Sequence, residues 1–527
     1  MAGYPPSGRG HTANIAPITR RRHRATGKGG RRSRSSWLGR ARATTLATLG
    51  CGVLAALGSG LTPGAAAAQT PFPSKDVTLS GHGLGPGYGM GQWGAFGLAV
   101  LDQFTYGQIL THYYSDTAYP VTDATLSAKA DREILKVAIE ENDNSAVTVT
   151  SPSRFTYVNR AGRKVASIPA GEAARALEIK KNGSLTGSWE LERATSCSAR
   201  KWTKVATKLT DPIAVPASLA ATAPISDLLT LCRADGQDIT YRGRLEAYDY
   251  DGSSTAGKHA ERTLSLIPLE QYVADVTPGE SPAGWGAYGG SEGSPQGEPW
   301  GFQELEAQAI AARTYVLYSM ANGGWDGYAD ICDDTCEWYA QGIRWEAPLA
   351  SLAVTDTAGQ YLTQNGGPAP TEYGSSDGGY TEALNYWNGQ SIFDAVPDPG
   401  DGVCLGGPHS LGCNPWHSWE ASIKVTALER KFAVGTLVSV SVASTDASGR
   451  VSEIEIAGTL ATVTVSGVDF ADDFGLRSTM FVVTDGPGAP PASVPEGAVS
   501  WLAGGGSPGF RPPAGPLPHR MTAGAQQ

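Results

Sequence analysis

No acidic side chain precedes Asp76. Residues 1–42 instead hold eleven Lys or Arg, among them Arg20, Arg21, Arg22, Arg24, Arg31, Arg32 and Arg34. The chain also lacks an apolar run suited to a membrane anchor. Its best candidate, residues 45–61, is about 17 residues long, near the lower limit for a span, and contains four glycines. Small residues at Ala65–Ala68 follow, then Gln69. Basic, apolar, small is the layout of an export signal, so residues 1–69 are expected to be removed near Ala68 and the remainder to work secreted or in the cell wall.

Basic residues are scarce after that point. The chain has 41 basic and 51 acidic side chains, and without the first eleven, 30 stand against 51, a net charge of −21. A field of that sign repels nucleic acid and anionic membrane surfaces, which excludes both as expected partners once the signal is gone. Cysteine is sparse too. Cys51 falls in the apolar run, leaving Cys197, Cys232, Cys332, Cys336, Cys404 and Cys413. An even number in an exported chain reads as three disulfides, and neighbours in sequence suggest 197–232, 332–336 and 404–413, although six cysteines allow fifteen connectivities. No cofactor is expected. Zinc is the lesser alternative, because the three-residue spacing of Cys332 and Cys336 is unusual for it and no histidine lies close by.

No repeat of fixed period is present. From about residue 485 the chain turns Gly/Pro/Ala-rich, too poor in buriable surface to offset the entropy of ordering, so 485–527 is expected to be a flexible tail. Residues 70–484 then form the folded part. Alternation predicts strands at 146–150, 174–180, 241–250, 437–442, 453–456 and 461–465, and short helices at 90–101 and 106–114. Residues 302–320 have no Gly or Pro, and Leu305, Ala309, Ala312, Val316 and Ser319 form a narrow stripe of small and apolar groups, which predicts a closely packed central helix. Without a regular β-α-β rhythm the fold class is α+β, mixed and strand-rich, with that helix behind the segment bearing the candidate acid.

Three stretches could carry chemistry. In LIPLEQYVADVTPGESPAGW (266–285), Thr277-Pro278-Gly279 predicts a turn presenting Glu280. Trp285 packed against that carboxyl would keep it protonated, as a glycosidic general acid requires. The bland reading is an exposed loop glutamate. GHGLGPGYGMGQWGA (81–95) lets backbone approach a ligand closely, and His82, Gln92 and Trp93 suit sugar hydroxyls and faces. Its formal G-x-G-x-x-G does not follow directly on a strand, as a nucleotide site demands. In TEYGSSDGGYT (371–381), Gly374-Ser375-Ser376-Asp377-Gly378 spells a nucleophile elbow with Asp394 and His417 behind it, so a serine hydrolase using Ser376 must be weighed; prolines before and glycines after argue against the strand and helix it needs.

Together these stretches resemble the stage II sporulation protein D family (SpoIID/LytB domain). Leu269-Glu270-Gln271-Tyr272-Val273 through Glu280 is similar to the family's L-E-x-Y-V/L … E-M-P. Residues 305–315 (LEAQAIAARTY) are similar to its A-L-x-A-Q-A-V-A-A-R-T-Y, residues 375–381 to its S-S-G-G-Y-T with an added Asp377, and residues 81–95 to its G-H-G-x-G-H motif. The resemblance covers about 75–485, except a strand-rich insert near 145–235. It implies a lytic enzyme acting on peptidoglycan glycan strands whose peptide stems have been removed. Glu280 matches the family's acid, protonating the glycosidic oxygen before the muramic 6-hydroxyl closes a 1,6-anhydro ring. On this reading His82, Ser375, Ser376 and Tyr380 line the groove with Gln92 and Trp93, and Arg313 joins them on the helix buttressing the acid. Some family members modify a wall amidase, so a non-catalytic glycan-binding protein or amidase enhancer is the alternative, with a cell-wall amidase as partner. This chain departs from the family at Pro86, which replaces the second histidine, at Ser281, which replaces Met, and in the insertion at 286–301. Its Gly-His motif comes before the acid rather than after it, and the family's metal ligands find no counterpart near Glu337-Trp338.

Overall fold

A computed structural model of the protein describes residues 70–122, 134–233, 236–250, 259–333, 342–385, 391–406 and 411–486. The expected export signal (1–69) and all but the first two residues of the expected tail lie outside them. The fold is mixed α+β, as expected. Among the described residues no helix is long and apolar enough to cross a membrane.

Most expected elements form, with shifted ends. The helix expected at 90–101 is Gln92–Asp102, because Met90–Gly91 is taken by a short parallel pairing with Tyr373–Gly374. The expected strand at 241–250 splits into Ile239–Tyr241 and Arg244–Tyr250, which enter different sheets.

The insert explains itself once its sheets are seen. A six-stranded sheet (order Thr203–Leu209, Ser184–Ala194, Ala173–Lys181, Val147–Thr150, Leu229–Leu231, Ile239–Tyr241) shares one core with part of a seven-stranded sheet. Trp189, Phe155, Tyr157, Val149 and Leu229 are buried between them. The seven-stranded sheet includes Ala260–Pro268, which runs straight into the helix Leu269–Glu280. The insert is thus the platform from which the acid helix projects. Cys197–Cys232 and Cys404–Cys413 are disulfides, as sequence proximity suggested. Cys332 is disulfide-bonded and buried, while Cys336 lies outside the described residues.

The early position of the Gly-His motif is resolved by register. Asp76–Gly81 pairs antiparallel with Trp419–Lys424 on one side and with Phe481–Val483 on the other. The first strand therefore closes a sheet made otherwise from the end of the domain, and its motif is delivered beside late-sequence residues.

Phe302–Ala321 is central, and more deeply than a narrow stripe suggested. Every residue from Phe302 to Thr314 is buried, including Gln303, Glu304, Glu306, Gln308, Arg313 and Thr314. Buried polar groups must be partnered, and several here are. Gln303 Nε2 donates to Glu306 Oε2 at 2.7 Å, Ser281 Oγ to Glu304 Oε1 at 2.5 Å, and Thr314 Oγ1 to the Ile310 carbonyl at 2.6 Å.

Candidate active site

Glu280 does not stand on a turn. It is the last residue of the helix Leu269–Glu280, which carries Pro278 within it. Leu269, Tyr272, Val273 and Val276 are buried at helical spacing, and this packing overrides the local turn signal of Thr277-Pro278-Gly279. Half-buried at the helix end, Glu280 accepts a hydrogen bond from Gln92 Nε2 at 3.1 Å. The Glu280 charge reaches Tyr272 and Tyr373, whose phenols are pushed well above their ordinary range by burial and further by that charge, among others. Trp285 stacks on Phe96 at 4.7 Å and tilts against Trp93 at 4.8 Å.

The glycine stretch wraps this corner. Gly91 pairs with Gly374, the Trp93 amide donates to the Ser375 carbonyl at 3.0 Å, and Leu84 bridges Ser376. Gly94 is compelled by space: a Cβ there would lie 1.7 Å from Asp398 Oδ2. Among the expected groove residues, His82, Trp93, Ser375 and Tyr380 are half-buried and reachable. The imidazoles of His82 and His417 meet edge-on at 5.7 Å, and His82 Nδ1 donates to the His417 carbonyl at 3.0 Å. Burial first, and then the neighbouring His417, hold His82 below its ordinary pKa.

Three expectations require correction. Arg313 cannot touch substrate: its side chain is fully buried, and Nε and Nη2 grip Glu270 at 2.9 and 2.6 Å. Gln92 is also buried and serves Glu280 rather than a sugar. Ser376 is 2% exposed and donates to Asp401 Oδ1 at 2.7 Å. His417 Nδ1 takes the other oxygen of that carboxylate at 2.7 Å. A serine hydrolase needs the imidazole between serine and acid. Here the acid stands between them, and Asp394 is engaged elsewhere with Ser391 and Ser115.

Beneath the glycines lies a group that the sequence did not single out. Ligand-capable oxygens of Asp377, Asp398 and Asp401, all buried, fall within 4.8 Å of one another. Asp401 is saturated by Ser376, Asn414 and His417. Asp398 Oδ2 accepts from Tyr113 and Asp377 Oδ1 from the Gly379 amide, leaving Asp398 Oδ1 and Asp377 Oδ2 without other partners. With Asp401 spent, the donor set suits a proton shared by Asp377 and Asp398 better than a cation. Burial raises both; the charges of Asp398 and Asp401 push Asp377 up further, and that of Asp401 helps lift Asp398 to about 7.

A carboxyl raised on folding binds more protons in the folded state, so its contribution to stability declines as pH climbs from about 4 through about 7. Asp377→Asn should flatten that decline and stabilise the protein at pH 8 by on the order of 1–3 kcal/mol. Melting temperatures from pH 5 to 8 measure it; parallel curves for both proteins would refute the shared proton.

Residues 258–364 match the family model described as SpoIID, stage II sporulation protein. That span contains Glu280 and Arg313, but not His82 or Ser375–Tyr380. Stage II sporulation protein D of Bacillus subtilis (strain 168) is 32% identical over 143 residues, 24% of this chain and 37% of that protein. An amidase enhancer of the same organism is 35% identical over 86 residues, 16% of this chain and 11% of that protein. Stage II sporulation protein D of Bacillus amyloliquefaciens is 26% identical over 247 residues, 42% and 62% of the two chains. The matches thus span less than two thirds of each relative. Through the domain at residues 258–364, the chain is similar to the stage II sporulation protein D family.

Proposed function

We propose that this protein is a secreted lytic transglycosylase that cleaves peptidoglycan glycan strands, preferably stripped of peptide stems, with Glu280 acting first as acid and then as base. The observation that carries this reading is the placement of Glu280. One oxygen is fixed by Gln92, Tyr272 and Tyr373 stand nearby, and the side chain keeps partial access to solvent. A carboxyl at a helix C-terminus meets the negative end of the helix dipole, which disfavours a second negative charge there. That is the setting of a proton donor to a glycosidic oxygen. After the bond breaks, the carboxylate takes the proton of the muramic 6-hydroxyl as that oxygen closes on the anomeric carbon. One carboxyl therefore suffices, and no water is consumed. Trp93, His82, Ser375 and Tyr380 offer an aromatic face and polar groups for the sugars.

The likeness to an amidase enhancer supports a second reading, in which the same surface holds glycan and stimulates a cell-wall amidase without cutting. Mass spectrometry of amidase-treated peptidoglycan after incubation with the protein separates the two. Anhydro-muramic ends are the expected product. New reducing ends would mean hydrolysis, and unaltered glycan with faster amidase turnover would favour the enhancer.

A further inference from the structure

A second cluster joins one strand of the insert to the two strands that follow it. Its members are Glu178 on Ala173–Lys181, Asp249 on Arg244–Tyr250, and His259 just before Ala260–Pro268. His259 thus stands at the end of that strand opposite the acid helix, about 30 Å away at the usual rise per residue.

Glu178 is 5% exposed, and its two oxygens have different fates. Oε1 accepts the Gly187 amide at 2.6 Å; Oε2 is buried with no partner. Asp249 repeats the pattern, with Oδ2 2.7 Å from His259 Nδ1 and Oδ1 buried and unpartnered. A buried carboxylate oxygen without a partner is costly unless something positive approaches it, and each of these two residues has one. Among the described residues no Lys or Arg reaches Glu178, and Asp249 repels it. Ligand atoms of Glu178, Asp249 and His259 lie within 4.8 Å of one another. Gly187 keeps the floor open: at φ 68°, a Cβ there would sit 2.8 Å from Asp249 Oδ2 and 3.5 Å from His259 Nδ1. The imidazole retains 31% of its surface, which leaves a way in.

We propose that Glu178, Asp249 and His259 bind one first-row divalent transition-metal ion, of the Zn²⁺ or Mn²⁺ type, with water completing its shell. Two carboxylates and one imidazole suit such an ion, whereas Ca²⁺ prefers six to eight oxygens. The ion would pin the outer ends of three strands of the platform carrying the acid helix.

The test uses the full chain stripped with chelator, with Co²⁺ as a spectroscopic probe and Zn²⁺ in calorimetry. One equivalent should bind, the visible Co²⁺ bands should appear, and the melting temperature should rise. His259→Ala and Glu178→Gln should each weaken binding at least about tenfold while remaining folded by circular dichroism. His259→Ala, at a partly exposed position, decides alone should Glu178→Gln not fold. Absence of Co²⁺ bands, or binding unchanged in His259→Ala, overturns the proposal.

Discussion

Glu280→Gln should lower the release of anhydro-muramic ends by about 10²–10⁴-fold, the usual worth of a positioned proton donor. The substitution is close to isosteric. A glutamine can still accept from Gln92 Nε2 through its own carbonyl oxygen, so helix and groove should stay as they are. The position is only half-buried, and the expected change in stability is below about 1 kcal/mol. What disappears is the proton. The loss should therefore appear in kcat, with glycan binding retained. Gln92→Ala should cost less, because it removes the hydrogen bond that aims the carboxyl and leaves the acid itself. If Glu280→Gln cleaves at the wild-type rate, the chemistry belongs to another group. If neither protein cleaves but both stimulate a wall amidase, the enhancer reading takes over.

How far the sequence could carry this site depended on the range of the interactions. Short-range patterns are readable: the helix at 302–320, two strands of the insert (146–150 and 174–180) and the pairing of neighbouring cysteines come from local spacing. The turn assigned to Thr277-Pro278-Gly279 failed because burial of Tyr272, Val273 and Val276 outweighs one proline in the last turn. Trp285 stacks on Phe96, nearly 190 residues earlier, a contact that no local spacing announces. Tyr373, which the Glu280 charge reaches, comes from a stretch whose serines and Tyr380 stand out in the sequence while it does not. Asp398 and Asp401 had no visible partner until Gly91, Gly94 and Ser376 were brought over them. Arg313 and Glu270 were both in the recognised motifs, but nothing in a spacing of 43 residues announces that they pair.

That pair carries the largest expected effect on stability. The Arg313 guanidinium holds both Glu270 oxygens and also donates to the carbonyls of Val354, Gln360 and Ala309. One buried side chain thus ties the first turn of the acid helix to the central helix, to Pro348–Asp356 and to the strand Gln360–Gln364. Arg313→Met would remove the charge and leave the Glu270 carboxylate with the Gly359 amide as its remaining described donor, at 3.3 Å. Breaking a buried pair from one side costs about 3–5 kcal/mol, a large part of the 5–15 kcal/mol that holds a typical domain together. The melting temperature should fall on the order of 10 °C. Lysine should not rescue it, because a point charge cannot span both oxygens. Combining Arg313→Met with Glu270→Leu should recover much of the loss, since the stranded charge goes as well. The kinetics separate this role from substrate binding. A groove-lining arginine would raise KM in a protein of normal stability, whereas a buried clamp should leave the surviving folded fraction with an ordinary KM.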